Sequence, residues 1–228
     1  KHTAGPPVRN VTDPRECYAL TKSEVDEMLS SLGLEYVDLL MLHGPSEPFG
    51  YQDGCDADIC ELNQAQWRAY QDALSAGKAR AIGVSNYCQS CLTCLMKHPT
   101  TTTLPAVNQF QLHVGMGENP EQLPAFCVEN GIVVQAYSPL AAGGVIQNEA
   151  CAEIGGELNR SAAQVGLRWV LQQKQKPALV VKASKLEYIQ EDLDIFSWSL
   201  SSAQIKKLSA ETSPKGQQDG RPCWGCSK

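Results

Sequence analysis

Residues 32–45 read Leu-Gly-Leu-Glu-Tyr-Val-Asp-Leu-Leu-Met-Leu-His-Gly-Pro. The apolar run at 36–42 lies between two glycine-containing turns, and this pattern predicts a buried strand. The run ends at His43. Parallel α/β folds place ligands at the carboxyl ends of their strands, where the loops lead into the next helices. The stretch therefore predicts a parallel α/β fold in which His43 is a candidate ligand-facing residue.

Four further apolar runs, rich in β-branched residues, alternate with amphipathic stretches along the chain. They predict strands at 79–84, 105–108, 132–136 and 178–181. Each run again ends in polar side chains, which are Ser85 and Asn86, Gln109, Tyr137 and Ser138, and Lys182. The interval between successive strand ends is long enough for a strand, a helix and loops, as a barrel of βα units requires.

Helix signals occupy the intervals. Residues 161–164 form a Ser-x-x-Gln capping box, followed by apolar residues at helical spacing. Residues 63–76 place large apolar side chains on one face and stop at Gly77. Two shorter helices are predicted at 186–195 and 202–210.

The composition excludes several classes of protein. With 228 residues and 43% apolar content the chain can bury a sizeable core, so intrinsic disorder is excluded for most of it. The net charge is -6 and no basic block is present, so nucleic acid is not an expected partner. No apolar run approaches the roughly 18 residues of a membrane span. The ten cysteines are interpreted as reduced thiols, which predicts a cytoplasmic protein or, alternatively, one of a plastid or other organelle stroma.

The ordered strand ends resemble the aldo-keto reductase family, whose members are (β/α)8 barrels that reduce carbonyl compounds with NADPH. Residues 32–45 resemble the family's fourth-strand motif, 79–87 its "IGVSNF" segment and 105–109 its "PAVNQ" segment. Residues 135–140 resemble its "AYSPL" segment and 163–172 its "AQVALRWVLQ" helix. The resemblance implies an α/β fold, a TIM barrel present here as strands 4 to 8 with their helices. It would form one domain over 1–228 with a C-terminal tail at 214–228.

The resemblance also implies roles for the strand-end residues. His43 would donate a hydrogen bond to the carbonyl of a small-molecule substrate. Ser85, Asn86 and Gln109 would hold the nicotinamide carboxamide. Tyr137 would stack on the nicotinamide ring, and Ser138 and Leu140, with the small residues 141–144, would lie along the pyrophosphate. No metal is implied.

Lys182 matches the family's lysine after the last strand and would bind the 2′-phosphate of NADPH. Ala183 stands where a serine is usual, Tyr188 where the family has an arginine, and Asp192 where many members have asparagine. These departures remove a charge-assisted contact and add an acid, so use of NADH is also open.

The resemblance leaves the first three βα units unaccounted for, together with the family's catalytic Tyr and Asp. The sequence begins at Lys1 rather than Met, and we expect a further N-terminal part to exist. Lys1 is assigned as the family's catalytic lysine, with residues 3–17 as a proline-rich insertion. The 228 residues alone are then expected to be a poor reductase. The alternative is a non-catalytic subunit that resembles the family and has a binding or structural role in a larger assembly.

Two cysteine patterns call for interpretation. Cys88, Cys91 and Cys94, followed by His98, have the outline of a cluster-binding run. Their spacing of three on a helix favours small thiols packed beneath the outer helices of the barrel over a metal or redox site. Cys223 and Cys226 form a Cys-x-x-Cys pair in the tail, which could be a redox latch or simply part of the tail.

Overall fold

The computed structural model describes residues 11–45, 55 and 57–214. They fall into two compact units, 11–108 and 109–214. The first contains helices α1 (Pro14–Leu32), α2 (Ala57–Ser75) and α3 (Gln89–Lys97) and strands β1 (Val37–Leu42) and β2 (Ala79–Ser85). Strand β3 (Val107–Gln111) crosses the boundary. The second contains α4 (Leu123–Glu129), β4 (Val133–Tyr137), α5 (Glu149–Leu158), α6 (Ala162–Leu171), β5 (Ala178–Leu179), α7 (Leu186–Leu193) and α8 (Ser202–Ser209).

The first unit confirms two predicted strands nearly residue for residue. β1 pairs with β2 in parallel, with Leu42 opposite Val84. The start of β3 follows on the other side of β2, where Ala106 N donates to Ile82 O at 2.8 Å. Gly83 permits this close approach, because a Cβ on it would lie 2.9 Å from the carbonyl oxygen of Val107.

In the second unit the end of β3 is followed by β4 and then by β5, and β4 pairs with β5 in parallel. The predicted strand at 105–108 was placed too early, because the buried polar residues Gln109 and Gln111 continue β3 beyond the apolar run. The predicted strand at 178–181 was too long. Its last two residues, Val180 and Val181, are 41% and 37% exposed and lie beyond β5.

Helix α1 corrects the prediction of an insertion through residue 17. Asp13 is its N-cap and accepts a hydrogen bond from Arg15 N at 2.8 Å, and Pro14 occupies the first helical position. Cys17 is fully buried on this helix, and Gly33 ends it in the left-handed conformation. The residues that suggested a loop are therefore the start signal of a 19-residue helix.

Helix α2 is longer than predicted and holds the loop after α3 through buried polar side chains. Gln71 Oε1 accepts from the backbone N–H groups of Thr102 and Thr103 at 2.6 and 2.9 Å. Trp67, which is fully buried, donates from Nε1 to Thr103 O at 2.9 Å. Buried side chains of this kind supply the hydrogen bonds that water would otherwise make to the backbone of a loop outside the sheet.

The capping box before α6 is confirmed. Ser161 Oγ accepts from Gln164 N at 3.2 Å, and Gln164 Oε1 accepts from Ser161 N at 3.1 Å. The helix buries Trp169 completely, and its indole N–H donates to Ser209 Oγ at 3.1 Å. Tryptophan packed in this way supplies a large share of the apolar burial of a small unit.

Cys60 and Cys94 form a disulfide that joins the first turn of α2 to α3. The interpretation of all cysteines as reduced thiols was wrong for this pair, since residues 34 apart in sequence meet only in the folded unit. Cys91 is buried, as expected for a packed thiol. Among the described residues, no group of three or more potential ligands could hold a metal ion.

Reduction of this disulfide is expected to lower the free energy of unfolding by about 2 kcal/mol or more, because it releases a constraint on the unfolded chain. Urea unfolding with and without a phosphine reductant measures the difference. The Cys60→Ser, Cys94→Ser double variant is the control, since the reductant should shift its midpoint less than that of the wild type. Its remaining response comes from Cys88, which is also disulfide-bonded. An equal response of both proteins, or a peptide map of the non-reduced chain without the cross-linked peptide, would contradict the bond.

Candidate active site

In the first unit the ends of β1 and β2 bring three of the sequence-predicted residues together. Asn86 Nδ2 donates to the backbone oxygen of His43 at 2.7 Å and to Ser85 Oγ at 3.2 Å. Ser85 and Asn86 are completely buried, and His43 is partly buried. The two strand ends are thus tied by one carboxamide.

The side-chain oxygen of Asn86 differs from the nitrogen in its hydrogen bonding. Its Oδ1 is buried and has no hydrogen-bond partner among the described residues. The residue also has a φ of 60°, a left-handed conformation that asparagine tolerates better than most residues. An unsatisfied buried acceptor costs about 1–3 kcal/mol. Asn86 Oδ1 is therefore placed to accept a hydrogen bond from a ligand.

Asn108 has a structural role that the strand-end pattern does not mark. Its side chain is buried, and Nδ2 donates to Tyr87 O at 2.8 Å. This bond fixes the loop immediately after Asn86. The signal in the sequence was the asparagine directly before Gln109, at an interior strand position where an apolar residue would be expected.

In the second unit Gln109 lies in the middle of β3 and not at its end as predicted, because the strand continues to Gln111. Tyr137 is the last residue of the neighbouring strand β4. Gln109 is 2% exposed, and its Nε2 donates to Oε1 of Gln135 on β4. Gln135 lies two residues before Tyr137, so the two share a face of the strand. Leu112 N donates to the backbone oxygen of Tyr137 at 3.5 Å. Gln135 was missed from the sequence because a glutamine inside an apolar run looks like an interruption of that run.

The loop after β4 is built from consecutive tight turns. Ser138, Ala141 and Ala142 have φ values of 49°, 48° and 51°, although none of them is glycine. Each such residue costs on the order of 1–3 kcal/mol and persists only where its surroundings hold it. Ala141 N donates to Ser138 O at 2.9 Å, and Gly144 N donates to Ala141 O at 3.0 Å. Together with Leu140, these residues form a compact loop of small side chains.

Lys182 lies three residues beyond β5 and is exposed. It makes no ion pair with any other residue that the structure describes. Lys185, which sequence reasoning did not select, donates to Tyr188 Oη at 3.3 Å and pairs with Glu187. Burial, with Glu191 nearby, raises the pKa of the Asp192 carboxyl. Lys1, Cys223 and Cys226 lie outside the described residues.

Comparison with known proteins identifies the family. A model of the aldo/keto reductase family matches residues 19–211. The chain belongs to the aldo/keto reductase family. It is 34% identical over 193 residues to a glyoxal reductase of Bacillus subtilis (strain 168), covering 85% of this chain and 63% of that protein. It is 32% identical over 199 residues to Protein REDOX 2 of Catharanthus roseus, covering 81% and 58%. The chain therefore spans less than two thirds of these relatives.

Solved structures confirm the predicted fold. MGS-M4, an aldo-keto reductase from a Medee basin deep-sea metagenome library, has a TM-score of 0.76 and 25% identity over 93% of this chain and 71% of its own. Gox0644 has a TM-score of 0.76 and 23% identity over 96% and 70%, which shows the fold alone. The chain is thus a parallel α/β protein corresponding to part of an aldo-keto reductase barrel. None of its described helices is long and apolar enough to cross a membrane.

Proposed function

We propose that the protein reduces an aldehyde or ketone to an alcohol with NADPH. The observation that carries this proposal is the buried Oδ1 of Asn86, which has no hydrogen-bond partner among the described residues and lies at a strand end beside His43. A carboxamide ligand carries both N–H donors and a carbonyl acceptor. Asn86 Oδ1 can accept from its N–H group, and the buried hydroxyl of Ser85 can donate to its oxygen.

Gln109 is assigned to the same carboxamide by family resemblance, and Tyr137 is assigned to stack on the nicotinamide ring. Ser138 and Leu140, with residues 141–144, are assigned to the pyrophosphate. Small residues in tight turns support this role, because they allow the backbone to approach phosphate oxygens. When bound, NADPH supplies the hydride.

The substrate carbonyl is assigned to His43, whose ring N–H would orient the oxygen and stabilise the negative charge that develops on it. The proton would come from a tyrosine outside this sequence, since none of the chain's tyrosines matches that position. Lys1 is proposed as the lysine that lowers the pKa of this acid. The glyoxal reductase among the relatives is consistent with a small aldehyde as substrate.

NADPH is preferred in this proposal because the exposed Lys182 is available to a 2′-phosphate. Asp192, which is partly buried, and Tyr188, which is exposed, stand where the family has amide and guanidinium groups and weaken that preference. Comparing turnover with the two cofactors in the complete protein tests it. A strong preference for NADH would overturn the assignment of Lys182.

Asn86→Gly is expected to raise the Kd for NADPH about tenfold or more, since it removes the buried acceptor and the amide that ties the strand ends. Glycine tolerates the positive φ, so backbone strain does not contribute. Titration calorimetry of the chain measures the effect. Asn159→Gly is the matched control, because Asn159 also has a positive φ of 54° but is exposed at the end of α5.

Two outcomes would redirect the proposal. Equal NADPH affinity of the Asn86→Gly variant and the wild type would remove Asn86 from the cofactor site. Failure of the wild-type chain to bind NADPH, together with a gene lacking a tyrosine four to six residues after an aspartate upstream of Lys1, would favour the non-catalytic subunit.

A further inference from the structure

A short segment after α8, Glu211–Pro214, lies against the loops of the second unit and is called the strap here. Asn148 Nδ2 donates to Glu211 Oε2 at 2.9 Å and to Ser213 O at 3.0 Å. Asn148 is 9% exposed, and both bonds are partly buried. One side chain therefore fastens both ends of a three-residue stretch of the strap.

The strap also makes close packing contacts with two glycines. A Cβ added to Gly115, in the loop after β3, would lie 2.4 Å from Pro214 O. A Cβ added to Gly144, in the loop after β4, would lie 2.7 Å from Pro214 Cβ. Neither position has room for a side chain, so the seating of Pro214 depends on glycine at both.

Asn148 connects this contact to the turns of residues 138–144. Its Oδ1 accepts from Cys151 N at 2.9 Å and caps α5, and its backbone N–H donates to Val145 O at 3.2 Å. Val145 N in turn donates to Leu140 O at 3.3 Å. A hydrogen-bonded series of turns thus runs from the strap to residues with strained backbone conformations, which need such support to persist.

We infer that Asn148, Gly115 and Gly144 are positioning residues through which the strap holds the loop 138–144 in the conformation that binds the cofactor pyrophosphate. The inference rests on the proposed function for the identity of the ligand. It goes beyond that function by making cofactor affinity depend on the segment that follows α8, to which no contact with the cofactor is assigned.

Three substitutions in the full chain separate the strap from other effects. Asn148→Ser keeps a side-chain oxygen that can cap α5 but loses the reach to Glu211 and Ser213 O. Glu211→Ala removes the partner and leaves Asn148 in place. Gly144→Ala displaces Pro214. The matched control is Gly156→Ala, since a Cβ on this α5 glycine would meet nothing within 4 Å.

The first readout is hydrogen exchange of the chain without cofactor. Each strap variant is expected to exchange faster at 138–147 than the wild type, with unchanged rates in α6 and with the control indistinguishable from wild type. The second is the Kd for NADPH by calorimetry, which should rise about fivefold to tenfold in the three variants. A merely structural role would instead raise exchange throughout the second unit.

Unchanged exchange at 138–147 in Asn148→Ser and Glu211→Ala would overturn the coupling. Faster exchange with an unchanged NADPH Kd would overturn its role in cofactor binding. If the wild-type chain binds no NADPH, the proposed function fails on its own, and the exchange measurement still decides whether the strap holds the loop. Should Gly144→Ala fail to fold, the other two variants carry the test.

Discussion

Replacing His43 with alanine is expected to lower the kcat of the complete protein for an aldehyde by about 100-fold, with little change in the Kd for NADPH. The expected size is that of losing one donor to the oxygen on which charge develops. His43 follows β1 directly, and its backbone oxygen is held by Asn86, so the substitution leaves the connection between the strand ends intact. Steady-state kinetics and calorimetry measure the two quantities.

His98→Ala is the matched histidine control. His98 lies just after α3, where it contacts Thr100 and Glu61, and no role in reduction is assigned to it. The kcat of the His98→Ala variant should equal that of the wild type. His43→Gln, which keeps an N–H donor, should recover part of the loss. Equal kcat values for His43→Ala and the wild type would remove His43 from the mechanism.

The largest expected loss of stability follows replacement of Trp169 with alanine, at about 4 kcal/mol. The indole is fully buried on α6, and its removal leaves a cavity and an unpaired Ser209 hydroxyl. The free energy of unfolding is obtained from urea titrations followed by circular dichroism. A decrease below about 1 kcal/mol would show that the second unit does not depend on this side chain.

Trp198→Ala provides the comparison within the same unit. Trp198 is only partly buried, and its indole N–H donates to Asp194 O at 2.9 Å, with Arg160 stacked 5.5 Å from the ring centre. Losing these contacts should cost about 1 kcal/mol. The difference in the free energy of unfolding between the two variants measures the contribution of burial, because both variants lose an indole.

The strand ends could be predicted from the sequence because a parallel strand buried on both faces is nearly continuous in apolar residues. β1 and β2 were therefore located to within one residue at either end. The strand predicted for β3 began and ended too early because Gln109 and Gln111 are buried amides. Glutamines in a sequence suggest a loop until their buried hydrogen-bond partners are known. The partner of Gln109 is Gln135, 26 residues away.

Helix α1 and the disulfide were not predicted from the sequence, for two different reasons. The start of α1 carries readable signals, an aspartate N-cap followed by proline, but a proline-rich context suggested an insertion. The Cys60–Cys94 bond has no comparable signal, since pairing depends on how α2 and α3 pack. Among the site residues, His43, Ser85 and Asn86 were predicted at strand ends, and the hydrogen bonds from Asn86 to the other two bring them together. The unpartnered oxygen of Asn86 could be recognised only from the packing around it.

The two completely buried indoles of the described residues, Trp67 and Trp169, also make the units distinguishable by fluorescence. Trp67 reports from the first unit and Trp169 from the second, and each donates its N–H to an oxygen of its own unit. An indole transferred from such a site into water emits at longer wavelength. Variants in which Trp67 or Trp169 is the one remaining tryptophan would therefore report the unfolding of each unit by fluorescence. Their midpoints would show whether the two units unfold in one transition or in two.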